Sequence, residues 1–184
     1  KVSVATDAGV AELERRIEEE GVLWDGSTPR LADAQIQVRR MVQVYALTIA
    51  PTVKPIMVEE RMEADLPGGW VLSGSPDLMT EDPNWLRDCK TGTRQRANAI
   101  QYGAYTMLRR SHGGTVKAIA EDFIPRAPVR NPQPAPIFTP IDVTDAVHEA
   151  AAAIEDIQAA AERFDRTVAE GKRPPHTVIA ANPA

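Results

Sequence analysis

Cysteine is almost absent from this sequence, since Cys89 is the single cysteine among 184 residues. One cysteine cannot form an internal disulfide, which excludes a disulfide-stabilised secreted fold and is typical of a reducing compartment. Long apolar runs are missing as well: no stretch approaches the roughly 18 residues of a membrane helix, and no basic-then-apolar secretory start is visible. We therefore expect a cytoplasmic protein that does not enter a membrane.

Histidine is also scarce. The three histidines are His112, His148 and His176, and they fall in or beside turn-like and helical segments without the spacing of a metal site. No Cys/His pair that activates a thiol is apparent. A cysteine nucleophile and a histidine metal centre are therefore not expected.

An overall excess of positive charge is absent too, because the net charge is −5. This value argues against a protein that coats nucleic acid. The charge is unevenly distributed, however: between residues 86 and 110 the only acidic residue is Asp88, and the basic residues are Arg87, Lys90, Arg94, Arg96, Arg109 and Arg110. A local basic patch on an acidic body suits an enzyme that grips phosphates at one place. The alternative, stronger for Arg109 and Arg110, is a solvated helix face.

The length and the 43% apolar content are ordinary for one globular domain, which we expect to span residues 1–184. Helical periodicity over 7–20 and 31–49 predicts a helical N-terminal part, residues 1–50. From Ile56 the period changes to two, and a catalytic core over 56–124 is predicted to contain strands and one helix. The turn Pro67-Gly68-Gly69 predicts a hairpin whose second strand begins at Trp70.

Further along, residues 116–124 alternate as a strand that is covered on both faces, and the segment around Pro140 predicts an edge strand. Residues 144–171 predict a long alanine-rich C-terminal helix. The order of elements gives the predicted fold class: α/β, with a central mixed β-sheet flanked by helices.

The most informative stretch is GSPDLMTEDPNWLRDCKTG, residues 74–92, which contains Asp77, Asp88 and Lys90. A site that cuts phosphodiesters needs carboxylate oxygens to hold Mg²⁺ and a cation to orient water or stabilise developing charge. Strand periodicity puts residues 88 and 90 on one face, with the carbonyl of Cys89 between them. Aspartate is disfavoured in strands, so Asp88 requires a compensating cation.

Three pieces in order, GSPDL, RDCKTG and QYGAY, resemble the PD-(D/E)XK nuclease superfamily, in particular its RecB-like and Cas4-like exonucleases. The resemblance covers roughly residues 56–110. It implies a restriction-endonuclease-like core and a Mg²⁺- or Mn²⁺-dependent deoxyribonuclease that hydrolyses phosphodiester bonds. It also implies an exonuclease acting on DNA ends or single strands in recombination, repair or phage replication.

The resemblance assigns roles to particular residues. Asp77, Asp88 and the main-chain oxygen of Cys89 would hold the metal, and Lys90 would serve the chemistry. Gln101 and Tyr105, which share one helix face at i, i+4, would orient the lysine or contact DNA.

Each assignment has a plainer alternative. Asp77 can cap a turn, Asp88 can pair with Arg87 or Lys90, and a Gln/Tyr pair often lies at the surface or in the core. A glutamate near Glu59 or Glu60 is common in the resembled family, but a solvated strand edge is the better interpretation for at least one of them. Trp70 and Trp85 can stack on bases, although core packing is the commoner use.

The sequence departs from the family in two respects. Iron–sulfur members carry four cysteines, so no cluster is expected within these residues. The N-terminal helix histidine that completes the metal shell in the family has no counterpart before His112. Two alternatives to a free-standing nuclease remain: a non-catalytic module that binds nucleic acid or protein, and an accessory nuclease domain of a larger helicase or CRISPR machine with partner proteins.

Overall fold

The computed structural model describes residues 2–81, 84–96 and 98–171. The fold is α/β, with a mixed central sheet of five strands flanked by helices, which confirms the predicted fold class. Within the described residues, none of the helices is both long and apolar enough to cross a bilayer.

Along the part of the chain that the structure describes, two helices come first, five strands follow, and the chain then continues with a helix, two strands and a last helix. The helices are α1 (Val2–Glu20), α2 (Leu31–Val44), α3 (Ala99–Ser111) and α4 (Val143–Ala169). After α2 the chain continues as a π-helix, Tyr45–Ile49, and a 3₁₀ turn, Ala50–Thr52. The strands are β1 (Pro55–Val58), β2 (Met62–Leu66), β3 (Trp70–Gly74), β4 (Leu78–Thr80), β5 (Trp85–Gly92), β6 (Ala118–Pro125) and β7 (Ile137–Ile141).

The chain forms two compact units, and the first has its described residues within Lys1–Arg61, Ser75–Ala97 and Val116–Ile141. It contains α1, α2 and the five-stranded sheet in the order β1-β4-β5-β6-β7. Only β5 and β6 are parallel, and the other pairs are antiparallel. β6 is buried along six consecutive residues, as expected for a central strand that is covered on both faces.

The register of β5 against β6 shows which polar residues lie on each face of the sheet. Asp88 lies opposite Glu121, and Cys89 lies opposite Asp122. Because side chains alternate along a strand, Asp88 and Glu121 share one face of the sheet and Cys89 and Asp122 share the other.

The second unit has its described residues within Met62–Gly74, Asn98–Thr115 and Asp142–Ala184. It contains the β2–β3 hairpin, α3 and α4. The two helices approach closely at Gly103, where an added Cβ would lie 1.9 Å from the carbonyl oxygen of Ala146 and 2.8 Å from Cβ of Ala150. Glycine is required there because a larger residue would force the helices apart.

Several predictions from local pattern are confirmed. The Pro67–Gly69 turn joins β2 to β3, and β7 is an edge strand. α4 begins after Asp142, whose carboxylate accepts hydrogen bonds from the N–H groups of Thr144 and Asp145. The prediction of one domain spanning 1–184 stays a prediction, and Pro174, Pro175 and His176 lie outside the described residues.

Two element predictions are wrong in detail. The period-two run from Ile56 is two strands of different sheets, because the backbone of Glu59 takes a φ of 50° and turns the chain after Val58. The first helix begins at Val2 rather than near residue 7, and the second loses α-helical geometry after Val44.

Candidate functional site

Asp77 and Asp88 come together through the antiparallel pairing of β4 and β5. Leu78 lies opposite Arg87 in this pairing, and the same register continued by one residue brings Asp77 opposite Asp88. Side chains directly opposite in an antiparallel pair share a face at about 5 Å between Cβ atoms. The two carboxylates of the motif therefore meet, although ten residues separate them in the sequence.

Lys90 lies two residues beyond Asp88 on the same strand face, and its Nζ is 2.8 Å from Oδ2 of Asp88. The side chain of Asp88 is fully buried, whereas that of Lys90 is 36% exposed. The ammonium group compensates a carboxylate that burial would otherwise penalise. The ion pair that the sequence allowed as an alternative is thus present, with Lys90 as the partner.

The electrostatic environment disfavours a charge on Asp77. Burial, the nearby charge of Asp88 and a side-chain hydrogen bond to Asp88 raise the pKa of the Asp77 carboxyl. A hydrogen bond from the backbone N–H of Cys89 to Oδ2, 3.0 Å long, and the charge of Lys90 oppose this shift. Two carboxylates held this close repel each other, which is the condition that a bound cation relieves.

Cys89 contributes its backbone to this arrangement. Its N–H points to Asp77, and the N–H and C=O of one residue in a strand point to the same edge. The Cys89 carbonyl is therefore directed to the Asp77 side of β5. Burial and the charges of Asp122, Asp77 and Asp88 raise the pKa of the Cys89 thiol to about 12, which disfavours the thiolate form that a cysteine nucleophile needs.

A cavity of about 460 Å³ opens at these residues, and we call it the carboxylate cavity. It lies within the first unit, and its walls include residues from the π-helix, from β1 and from the three central strands. Its polar lining residues are Tyr45, Glu59, Asp77, Arg87, Asp88, Cys89 and Asp122. Asp77 and Asp88 thus border an open space, although the side chain of Asp88 is itself buried.

Of the two glutamates considered, only Glu59 is a lining residue of this cavity within the described chain. Its backbone N–H donates to the carbonyl oxygen of Asp77, 3.2 Å away, which ties the end of β1 to the start of β4. Glu60 is exposed.

Sequence reasoning missed Tyr45 and Asp122. Tyr45 lies at helical spacing within residues 31–49, a pattern typical of an apolar stripe that faces the core, but it begins the π-helix and lines the cavity. Only the Pro51 that follows signals a change of helix geometry. Asp122 lies in the strand predicted over residues 116–124, and its buried partner, Arg87, lies 35 positions away.

The predicted basic patch needs a correction at Arg87. This side chain is buried and donates two hydrogen bonds to Asp122, of 2.8 and 2.6 Å. A guanidinium neutralised in this way is not available to grip phosphates at the surface. Arg94 and Arg96, by contrast, are exposed after β5.

Gln101 and Tyr105 belong to the second unit. Nε2 of Gln101 donates to the hydroxyl of Tyr105 at 2.8 Å, so the predicted i, i+4 pair is formed. The ring of Tyr105 lies against Gly74, where an added Cβ would be 2.6 Å from Cε1 of the ring. The glycine of GSPDL therefore makes room for the tyrosine of QYGAY, while a role of this pair in chemistry stays a prediction.

The candidate ligand atoms are carboxylate and carbonyl oxygens, which are the atoms that a hard divalent cation prefers. Mg²⁺ commonly takes one or two protein carboxylates and completes its shell with water and substrate phosphate. Asp77, Asp88 and the Cys89 carbonyl fit that pattern. Across residues 2–81, 84–96 and 98–171, no three His, Cys, Asp or Glu side chains cluster closely enough to hold an ion by themselves.

Comparison with known proteins supports the fold. The chain resembles the crystal structure of a "putative exonuclease" from Eubacterium rectale, with a TM-score of 0.58 and 12% sequence identity over 100% of this chain and 75% of that one. No protein-family model matches the sequence, and no curated protein is significantly similar to it. At this identity the likeness establishes a shared fold.

Proposed function

We propose that this protein is a metal-dependent DNA nuclease of the PD-(D/E)XK superfamily. The observation that carries the proposal is the meeting of Asp77, Asp88 and Lys90, with Asp77 and Asp88 lining an accessible cavity. Two carboxylates and one ammonium group are the groups that metal-assisted phosphodiester hydrolysis requires.

Asp77, Asp88 and the Cys89 carbonyl would hold Mg²⁺ or Mn²⁺. The ion would supply Lewis-acid polarisation of the phosphodiester and a more acidic water. Lys90, which is partly exposed beside Asp88, would donate hydrogen bonds to the oxygens on which negative charge develops in the transition state. A bound cation would favour the carboxylate form of Asp77, whose pKa is raised in its absence, and the hydrogen bond from Cys89 holds one of its oxygens in place.

The finer assignment is an exonuclease of the RecB-like and Cas4-like type that acts on DNA ends or single strands. The motif order supports this assignment, and so does the fold shared with the Eubacterium rectale protein, whose name includes "exonuclease". Roles in recombination, repair or phage replication, with partner proteins of such complexes, follow from the same family analogy.

One observation favours a second candidate, a non-catalytic module that binds nucleic acid or protein. In the described part of the chain the carboxylates lack a third acidic or histidine ligand close enough to share an ion. A module that kept the scaffold without the chemistry would retain the Asp88–Lys90 ion pair for stability alone.

A cleavage assay separates the two candidates. End-labelled single-stranded and double-stranded DNA is incubated with the protein in Mn²⁺, in Mg²⁺ and in EDTA. The nuclease proposal predicts metal-dependent loss of full-length DNA, and comparison of 5′ and 3′ labels gives the polarity. DNA binding without cleavage under all three conditions would establish the binding module instead.

A further inference from the structure

A second cavity, of about 590 Å³, lies in the first unit beside the carboxylate cavity. We call it the aromatic cleft; it is lined by Thr52, Lys54, Glu81, Trp85, Arg87 and Phe138, among others. The chain from Ala50 to Pro55 separates the two cavities, because its residues line them in turn. Ala50, Val53 and Pro55 line the carboxylate cavity, and Pro51, Thr52 and Lys54 line the aromatic cleft. Arg87 lines both.

Small residues on β6 create the cleft. The register places Trp85 of β5 opposite Ala118, and Ala120 lies next on that face of β6. Trp85 and Phe138 stand on strands that are separated by β6, and Phe138 lies opposite Asp122, four positions along β6 from Ala118. The alanines let the two rings lean over β6 until their centroids are 5.5 Å apart, tilted by 41°.

The floor of the cleft is fixed before any ligand arrives. The guanidinium of Arg87 lies 5.5 Å from the centroid of the Phe138 ring, and its two hydrogen bonds to Asp122 hold it there. Phe138 nevertheless remains 49% exposed. A rigid, half-exposed ring beside a cationic side chain is the kind of surface on which a flat heterocycle stacks.

We propose that the aromatic cleft binds one unpaired nucleobase of a single-stranded DNA whose neighbouring phosphodiester lies in the carboxylate cavity. The proposal rests on the nuclease function proposed above for the position of that phosphodiester. Trp85 and Phe138 would stack on the base, the ammonium group of Lys54 would lie near the backbone, and Glu81 would accept a hydrogen bond from the edge of the base.

A nucleobase fits this site better than a peptide strand. A peptide that extended the sheet at β7 would need the outward N–H groups of this edge strand. Pro140 lies in the middle of β7 and has no N–H to offer. The adjoining carboxylate cavity is also proposed to hydrolyse phosphodiesters, which a nucleic acid has and a peptide lacks.

The site implies a preference for single strands. A base within a duplex must leave its stack before it can lie against a protein ring. DNA with unpaired bases should therefore bind more tightly than a blunt duplex of the same sequence.

The test compares base-bearing with abasic DNA. Binding of a fluorescein-labelled oligothymidylate and of an abasic strand of equal length is measured by anisotropy in EDTA, where cleavage is suppressed. We expect wild-type protein to bind the base-bearing strand about tenfold more tightly, since stacking on an aromatic side chain is typically worth that much. Phe138→Ala should lose most of this difference.

Ile137→Ala is the matched control. Ile137 is adjacent to Phe138 on β7 and equally exposed, at 47%, but it points to the opposite face of the sheet. This variant should keep the wild-type difference. Equal binding of the two strands by wild-type protein, or an equal loss in Ile137→Ala, would overturn the assignment of the cleft.

The outcome is distinguishable from failure of the nuclease proposal. Cleavage in Mn²⁺ without tighter binding of the base-bearing strand would contradict the base-binding site and support the nuclease proposal. A stacking contribution without cleavage in any metal would leave a single-strand binding module, and the position of the phosphodiester would be withdrawn.

Discussion

Two buried carboxylates of the sheet are neutralised in opposite ways. Asp122 is held by Arg87 through two hydrogen bonds, with both side chains almost inaccessible. Asp88 pairs with the ammonium group of Lys90, which is partly exposed, and also shares a side-chain hydrogen bond with Asp77. A flexible, partly exposed ammonium group can be replaced by another cation, whereas a buried bidentate guanidinium cannot easily leave. Residue geometry thus distinguishes a buried ion pair from one whose cation is partly exposed.

The raised pKa of Asp77 predicts a pH-dependent stability. An aspartate whose pKa is higher in the folded than in the unfolded protein stabilises the fold while it is protonated. This stabilisation is complete below the unfolded pKa of about 4 and is lost as the pH rises through the folded value. Asp77→Asn keeps an oxygen for the Cys89 N–H but carries no charge. In EDTA, the variant should therefore unfold at higher urea concentration than wild type at pH 7.

The control for this prediction is the same comparison at pH 3. Both proteins are then neutral at residue 77, so their difference in free energy of unfolding should largely disappear. A variant that is less stable than wild type at pH 7 would show that repulsion from Asp88 does not govern Asp77.

The Arg87–Asp122 pair predicts a large loss of stability when only one partner is removed. Asp122→Asn leaves a buried guanidinium without its counter-charge, and we expect it to lower the free energy of unfolding by about 3–5 kcal/mol. Arg87→Met combined with Asp122→Leu should cost clearly less, because no uncompensated charge remains. Asp7→Asn, which breaks an exposed pair with Arg39, should have little effect. Urea unfolding curves measure all three, and equal costs for the buried and exposed single variants would contradict this account.

At the scale of elements, strand pairing explains why the G-x-x-D segment precedes the D-x-K segment by a short interval. The G-x-x-D segment crosses from β3 to β4, and D-x-K lies in β5, so antiparallel pairing of β4 with β5 brings the two acids together. The turn signals around residues 80–84 and the alternation of WLRDCK predicted this much. Pattern does not show which glutamate lines the cavity, because that depends on the positive φ of Glu59.

Helical periodicity also fails to place Tyr45 at the cavity, because it does not show the change of helix type after Val44. Helical periodicity assumes about 3.6 residues per turn, and a π-helix with its wider turn changes the direction of the side chains that follow. Nothing in the run from Val38 to Ile49 encodes that change. Long-range pairs such as Arg87 with Asp122 also cannot be predicted from the sequence pattern, because they depend on the parallel register of β5 and β6.

The packing of α3 against α4 predicts a strong effect at one glycine. Gly103→Ala would place a methyl group against the backbone of Ala146, which cannot move without shifting the helix. We expect a loss of about 1–3 kcal/mol or more in the free energy of unfolding. Gly26→Ala is the control, since nothing lies within 4 Å of an added Cβ there. Thermal unfolding followed by circular dichroism measures both, and a neutral Gly103→Ala would contradict the close approach of the helices.

At the scale of the whole molecule, the proposed metal ligands and Lys90 all belong to the first unit, whereas the Gln101–Tyr105 pair belongs to the second. Metal binding can therefore be tested separately from the contribution of that pair. Mn²⁺ should raise the melting temperature of wild-type protein, because a ligand that binds only the folded state stabilises it. Asp77→Asn should show a smaller shift, and Gln101→Ala should show the wild-type shift. An equal shift in wild type and Asp77→Asn would place the ion elsewhere.

The most direct test of the central claim is the rate at which Lys90→Ala cleaves end-labelled single-stranded DNA in Mn²⁺. The account predicts that wild-type protein cleaves and that this variant is at least about a hundredfold slower, as expected when a group that stabilises transition-state charge is removed. Lys117→Ala, which removes an exposed lysine just before β6, should cleave at the wild-type rate. Cleavage by Lys90→Ala at the wild-type rate would contradict the assignment of phosphodiester hydrolysis to Asp77, Asp88 and Lys90.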